Sequence, residues 1–107
     1  MPLCFSMKIQ GLCMFIISLT YQVPLENVDG FIPEHVDYLN EQYAKGYFIL
    51  SGRKEPRTGG VIISTISDRG KLNDVLAQDP FHREGLASYE VTEIVPTMSS
   101  ERLEFLL

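Results

Sequence analysis

Tyr47-Phe-Ile-Leu-Ser-Gly-Arg-Lys-Glu-Pro-Arg-Thr-Gly-Gly-Val-Ile-Ile-Ser-Thr-Ile66 is the stretch on which the fold turns. Tyr47 to Gly52 and Val61 to Ile66 are short and rich in β-branched and aromatic residues, and the polar loop between them ends in Gly59-Gly60. They read as two strands in direct succession. Upstream, Ile32, Val36, Leu39 and Tyr43 recur at helical spacing, Pro33 sits in a first turn and Gly46 supplies a stop. The pattern predicts a helix from near Phe31 to about Lys45 with those four residues as its buried stripe. Gln22 to Gly30 reads as a loop, and Phe15 to Tyr21 as a strand with Phe15, Ile17, Leu19 and Tyr21 on one face. Downstream, Ser67 is the expected N-cap of a second helix that runs through Leu72, Val75 and Leu76 to Gln78, with Asp68 favourable at its positive end. Asp79-Pro80 stops that helix, an irregular segment with Gly85 follows, and Ser88 to Val95 alternates as a half-buried strand closed by Pro96.

The order β-α-β-β-α-β predicts an α+β, ferredoxin-like domain: a four-stranded antiparallel sheet with two helices on one face. The other face is left bare, so a second copy or a ligand is expected to cover it. The domain is placed at residues 14–98, with residues 1–13 as an N-terminal extension and 99–107 as a tail able to form a short helix.

With 107 residues, 45% apolar and 21% charged, the chain has room for one such domain. A net charge of −5 with only nine Lys and Arg leaves no basic stripe, which argues against nucleic acid as a partner. Cys4 and Cys13 lie before the patterned region and lack metal-ligand spacing, so neither a zinc site nor a disulfide framework is expected, and a reducing compartment fits. Leu12 to Leu19 is too short to cross a bilayer, and no A-x-A-like cleavage site follows it. Cytoplasmic location without membrane association is the expectation.

Acid–base chemistry near neutral pH must start from His35 or His82. His35 can be a satisfied helix histidine or a base facing a cleft. Asp79 can be a turn residue capping local backbone N–H groups, or the group that fixes the tautomer of His35 and makes the pair a general-base dyad. His82 reads as a solvated loop residue and is a rival partner for Asp79. Ser51 and Gly52 end a strand where a ligand can approach the backbone. Arg53, Lys54 and Arg57 gather positive charge after it, suited to an anionic substrate or simply to solvent. Gly59-Gly60 has no following helix and no Walker Lys-Ser/Thr, and no metal motif is present, so no cofactor and no metal are expected.

A helix with one histidine, Ser51-Gly52 at a strand end, Gly59-Gly60 entering the next strand, and above all Asp79-Pro-Phe-His-Arg-Glu-Gly-Leu86 resemble the YciI-like (YCII-related) proteins and their D-P-[FY]-x-x-x-G-[LV] segment. The resemblance covers Met14 to about Pro96. It implies a dimeric α+β barrel in which two sheets pack face to face, with His35 and Asp79 as the active-site pair and Ser51 and Gly52 near the same cleft; Arg53, from the charge reading, joins them as a candidate substrate-binding residue. A second copy, as a homodimer or higher even oligomer, is the implied partner, and the positive charge after the strand adds the expectation of a small, anionic ligand. A relative in this family eliminates chloride from a chlorinated ring-cleavage product. The expected function is therefore a cofactor-independent lyase, isomerase or hydrolase, with a non-catalytic metabolite-binding module as the alternative.

Overall fold

The computed structural model describes residues 13–107. β1 (Met14–Tyr21), β2 (Phe48–Arg53), β3 (Gly59–Ser64) and β4 (Ala87–Ile94) form one sheet in the order β2-β3-β1-β4, with every neighbouring pair antiparallel. This is the ferredoxin-like arrangement expected from the sequence. Alternation places Phe15, Ile17 and Leu19 of β1 and Ile62 of β3 on one face, all at most 2% exposed. They form the core with the helices packed over that face. Each such side chain contributes roughly 1.5–3 kcal/mol of burial.

Four helical segments connect the strands: α1 (Leu25–Asp29), α2 (Ile32–Ala44), α3 (Arg69–Ala77) and α4 (Pro80–Arg83). Two of these were not expected. α1 occupies the segment read as a loop, and the four-residue α4 occupies the irregular segment before β4. The N-cap of α3 is Asp68 rather than Ser67, because its carboxylate reaches the Gly70 N–H at 3.2 Å. The tail folds as a 3₁₀ helix over Glu101–Leu106.

α2 is rotated from its expected orientation. Val36 and Tyr43 are exposed, whereas Tyr38 and Gln42 are buried and His35 is partly buried. The core-facing stripe is thus displaced by one residue; its Tyr38 and His35 find partners on other elements, whereas the buried Gln42 Nε2 has none among the described residues. Tyr38 Oη donates to the Val75 carbonyl at 2.7 Å, which ties α2 to α3.

The Gly59-Gly60 pair closes the sheet. A Cβ on Gly59 would lie 1.8 Å from the Leu19 carbonyl oxygen, and one on Gly60 would lie 2.9 Å from that of Gly52. Only residues without side chains allow β3 to approach both neighbours here. No helix among the described residues is long and apolar enough to cross a membrane. Of the expected N-terminal extension only Cys13 is described. It is buried and is not a free thiol, contrary to the reading of the cysteines, and Cys4 falls outside the described residues.

Candidate active site

Asp79 owes its position to two local rules. It follows the last turn of α3, and it serves as N-cap to α4, whose first residue, Pro80, has no N–H to satisfy. The first available donor is therefore Phe81 N–H, which reaches Asp79 Oδ1 at 3.0 Å. The carboxylate is completely buried. Its remaining capacity is filled from two other elements: His35 Nδ1 lies 2.8 Å from Oδ1, and Tyr89 Oη donates to Oδ2 at 2.7 Å. A buried acceptor with three donors is well satisfied, and it holds all three elements in place.

His35 lies one turn into α2, anchored by its own N–H on the Phe31 carbonyl. Its ring stacks on Phe81, with centroids 4.0 Å apart and planes 5° from parallel. With a carboxylate at Nδ1, that nitrogen carries the proton and Nε2 keeps its lone pair. The two readings of His35 merge: it is a satisfied helix histidine, and its ring also borders a cavity of about 620 Å³.

That cavity lies between α2 and the β2, β3 and β1 strands, and Ser51, Gly52, Arg53 and Arg57 also line it. A β-bulge at Ile49 brings Ser51 and Arg53 to this side. Phe48 pairs with Ser64 and Ser51 with Ile62, so the register shifts between them and the alternation changes phase. Strict alternation from Phe48 would have aimed Leu50 inward instead. Ser51 Oγ lies 2.5 Å from Tyr43 Oη, and a Cβ on Gly52 would meet nothing within 4 Å. Lys54 turns away to Thr20 Oγ1, at 3.2 Å. His82 is exposed, its ring packs against Tyr89, and it makes no hydrogen bond to the Asp79 carboxylate.

Tyr38, Tyr89, Phe81 as the stacking partner, and Asp29 were not singled out from the sequence. Tyr89 shares the inward-facing set of β4 with Val91, where it pairs with Leu19 of the core face. That parity was the available signal. No group of three His, Cys, Asp or Glu able to hold a metal ion occurs among the described residues.

Burial first, and then the charge of Asp79, push the phenols of Tyr38 and Tyr89 well above the ordinary 10.0. Both hold their protons more tightly when folded than when unfolded. Their contribution to stability is therefore complete below the unfolded value and is lost as pH rises above it. Unfolding free energy is expected to fall above about pH 10 by about 1.4 kcal/mol per pH unit for each phenol. Denaturant titrations of wild type and Tyr89→Phe across that range measure it, and an unchanged slope in the variant contradicts the assignment.

The model of the YCII-related domain family matches residues 14–95. Among solved structures, 5-chloro-2-hydroxyhydroquinone dehydrochlorinase (TftG) from Burkholderia phenoliruptrix AC1100, in complex with 2,5-dihydroxybenzoquinone, superposes with a TM-score of 0.67. The two share 17% sequence identity over 83% of this chain and 97% of that one, a likeness that establishes the fold. No curated protein sequence matches the chain.

Proposed function

The chain belongs to the YCII-related domain family, and on that basis we propose that it is a cofactor-independent small-molecule enzyme in which His35 Nε2 takes a proton from the substrate. One observation carries the reading: a buried carboxylate holds Nδ1 at 2.8 Å while the same ring borders a cavity of about 620 Å³. That volume is within the usual range for small-molecule sites, about 300–1,000 Å³. Asp79 fixes the tautomer and stabilises the imidazolium formed on proton transfer. Phe81 keeps the ring plane fixed by stacking.

Ser51 and Arg53 are the groups for negative charge that develops on the substrate. When Tyr43 donates to Ser51 Oγ, the serine proton is free to turn toward the cavity. The solved relative is a dehydrochlorinase of a hydroxylated ring. This supports a reaction in which the base removes a hydroxyl or carbon-bound proton and a leaving group departs with the electron pair of its bond. Isomerisation by return of the proton to another atom uses the same base.

The enzyme is proposed to work as a homodimer. The sheet face opposite the helices carries a row of paired positions, Leu50, Ile63, Ile16 and Thr92, in which Leu50 is 58% exposed. An apolar row on an otherwise bare sheet is suited to a second copy. Light scattering is expected to give twice the 12.1 kDa chain mass.

The test is an assay on hydroxylated aromatic rings with and without a ring halogen, and on small enol lactones, following halide release and absorbance. Product formation by wild type supports the reading. Ligands that raise the melting temperature but yield no product anywhere in the panel would sink it in favour of a metabolite-binding module.

A further inference from the structure

Charge at the cavity rim is unevenly compensated. Two guanidiniums line it, Arg53 from the end of β2 and Arg57 from the β2–β3 loop, together with one exposed carboxylate, Asp29 at the end of α1. Arg57 Nη2 donates to Asp29 Oδ1 at 2.5 Å, so these two charges cancel across the rim. The buried Asp79 is already committed to His35, Phe81 and Tyr89. Arg53 forms no ion pair with any described residue. It is exposed and stands opposite Gly60 in the β2–β3 register, a residue with no side chain to pair with it. The deeper wall is apolar, with Leu19, Ile32, Leu39, Ile62 and Phe81.

We propose that this cavity selects a monoanion with an apolar body, that Arg53 holds its charge, and that Asp29 sets the preference by neutralising Arg57. The unpaired guanidinium supplies a forked donor matched to a carboxylate or a pair of ring oxygens. A second negative charge on the ligand finds no further unpaired cation among the described lining residues and instead faces Asp29. Asp29 is a specificity residue for the site already proposed: the inference rests on that site as the substrate cavity but concerns binding, not proton transfer.

Benzoate and isophthalate are suitable probes, because they share one ring and differ by one carboxylate. In calorimetric titrations wild type is expected to bind benzoate at least about fivefold more tightly than isophthalate, the scale of one partly exposed ion pair. Asp29→Asn releases Arg57 and is expected to raise isophthalate affinity about fivefold while benzoate changes by less than about twofold. Arg53→Gln is expected to weaken benzoate about tenfold. Equal affinity for both probes in wild type, an unmoved preference in Asp29→Asn, or no binding of either probe by protein that melts normally each overturns the proposal. The outcomes also separate it from the catalytic reading: a charge preference without turnover of any substrate faults only the base, and turnover without a charge preference faults only the rim.

Discussion

Replacing His35 by asparagine is expected to lower turnover by about 10²–10⁴-fold, the range for losing a positioned general base. The loss of folding stability should stay below about 1 kcal/mol. The choice of residue follows from the geometry. An asparagine amide nitrogen occupies nearly the place of an imidazole Nδ1, so the bond to Asp79, 2.8 Å in the native protein, keeps a donor. What disappears is Nε2 with its lone pair, and the part of the ring that stacks on Phe81. Alanine confounds the two effects: both substitutions remove the stack on Phe81, but alanine also takes one donor from a buried carboxylate. That change is expected to cost about 1–3 kcal/mol. Steady-state kinetics on the asparagine variant, with denaturant unfolding of the same preparation, separates chemistry from folding. Turnover within tenfold of wild type would exclude His35 as the base.

Much of this site was legible because its parts obey local rules. Asp79-Pro80 had to end one helix, and Gly59-Gly60 had to punctuate the loop before a strand. Both inferences follow from missing N–H or Cβ atoms rather than from tertiary context. The strands were legible because a half-buried sheet imposes a period of two. α2 was misoriented by one residue because hydrophobicity alone assigns its face, and here the inward face bears His35, Tyr38 and Gln42. Tyr38 and His35 turn inward to partners 37 and 44 residues away, which no local pattern reveals, and Gln42 follows them although its Nε2 finds no partner among the described residues. The bulge at Ile49 was equally invisible. One extra residue reverses the facing of everything after it, and nothing in Tyr47 to Gly52 marks where it is inserted. The place of Ser51 and Arg53 at the cavity follows from that bulge, although the residues were chosen for different reasons, Ser51 as the end of a strand and Arg53 as positive charge after it.

Two substitutions of Asp79 are expected to fail differently. In Asp79→Ala the Phe81 N–H, the Tyr89 hydroxyl and the His35 Nδ1–H all lose their acceptor at a site with no solvent exposure. Unsatisfied buried donors of this kind are expected to cost about 3–5 kcal/mol, a large share of the stability of a small domain. In Asp79→Asn the orientation of the amide is decided by the backbone. Phe81 N–H can only donate, so the amide oxygen must take the Oδ1 place, where it also accepts from His35. The amide NH₂ then faces Tyr89, whose hydroxyl oxygen can accept in place of donating. Phe81, His35 and the amide keep partners and the histidine tautomer is preserved, while the Tyr89 hydroxyl proton gives up its acceptor and the negative charge behind the imidazolium is lost. The asparagine variant is therefore expected to fold with a loss of about 1–2 kcal/mol and to turn over about 10²-fold more slowly. That is a smaller defect than the roughly 10⁴-fold known where an asparagine forces the wrong tautomer. Urea unfolding and kcat on both variants read the two effects. An asparagine variant as unstable as the alanine one would mean that the charge, not the hydrogen-bond count, holds α2, α4 and β4 together around this carboxylate.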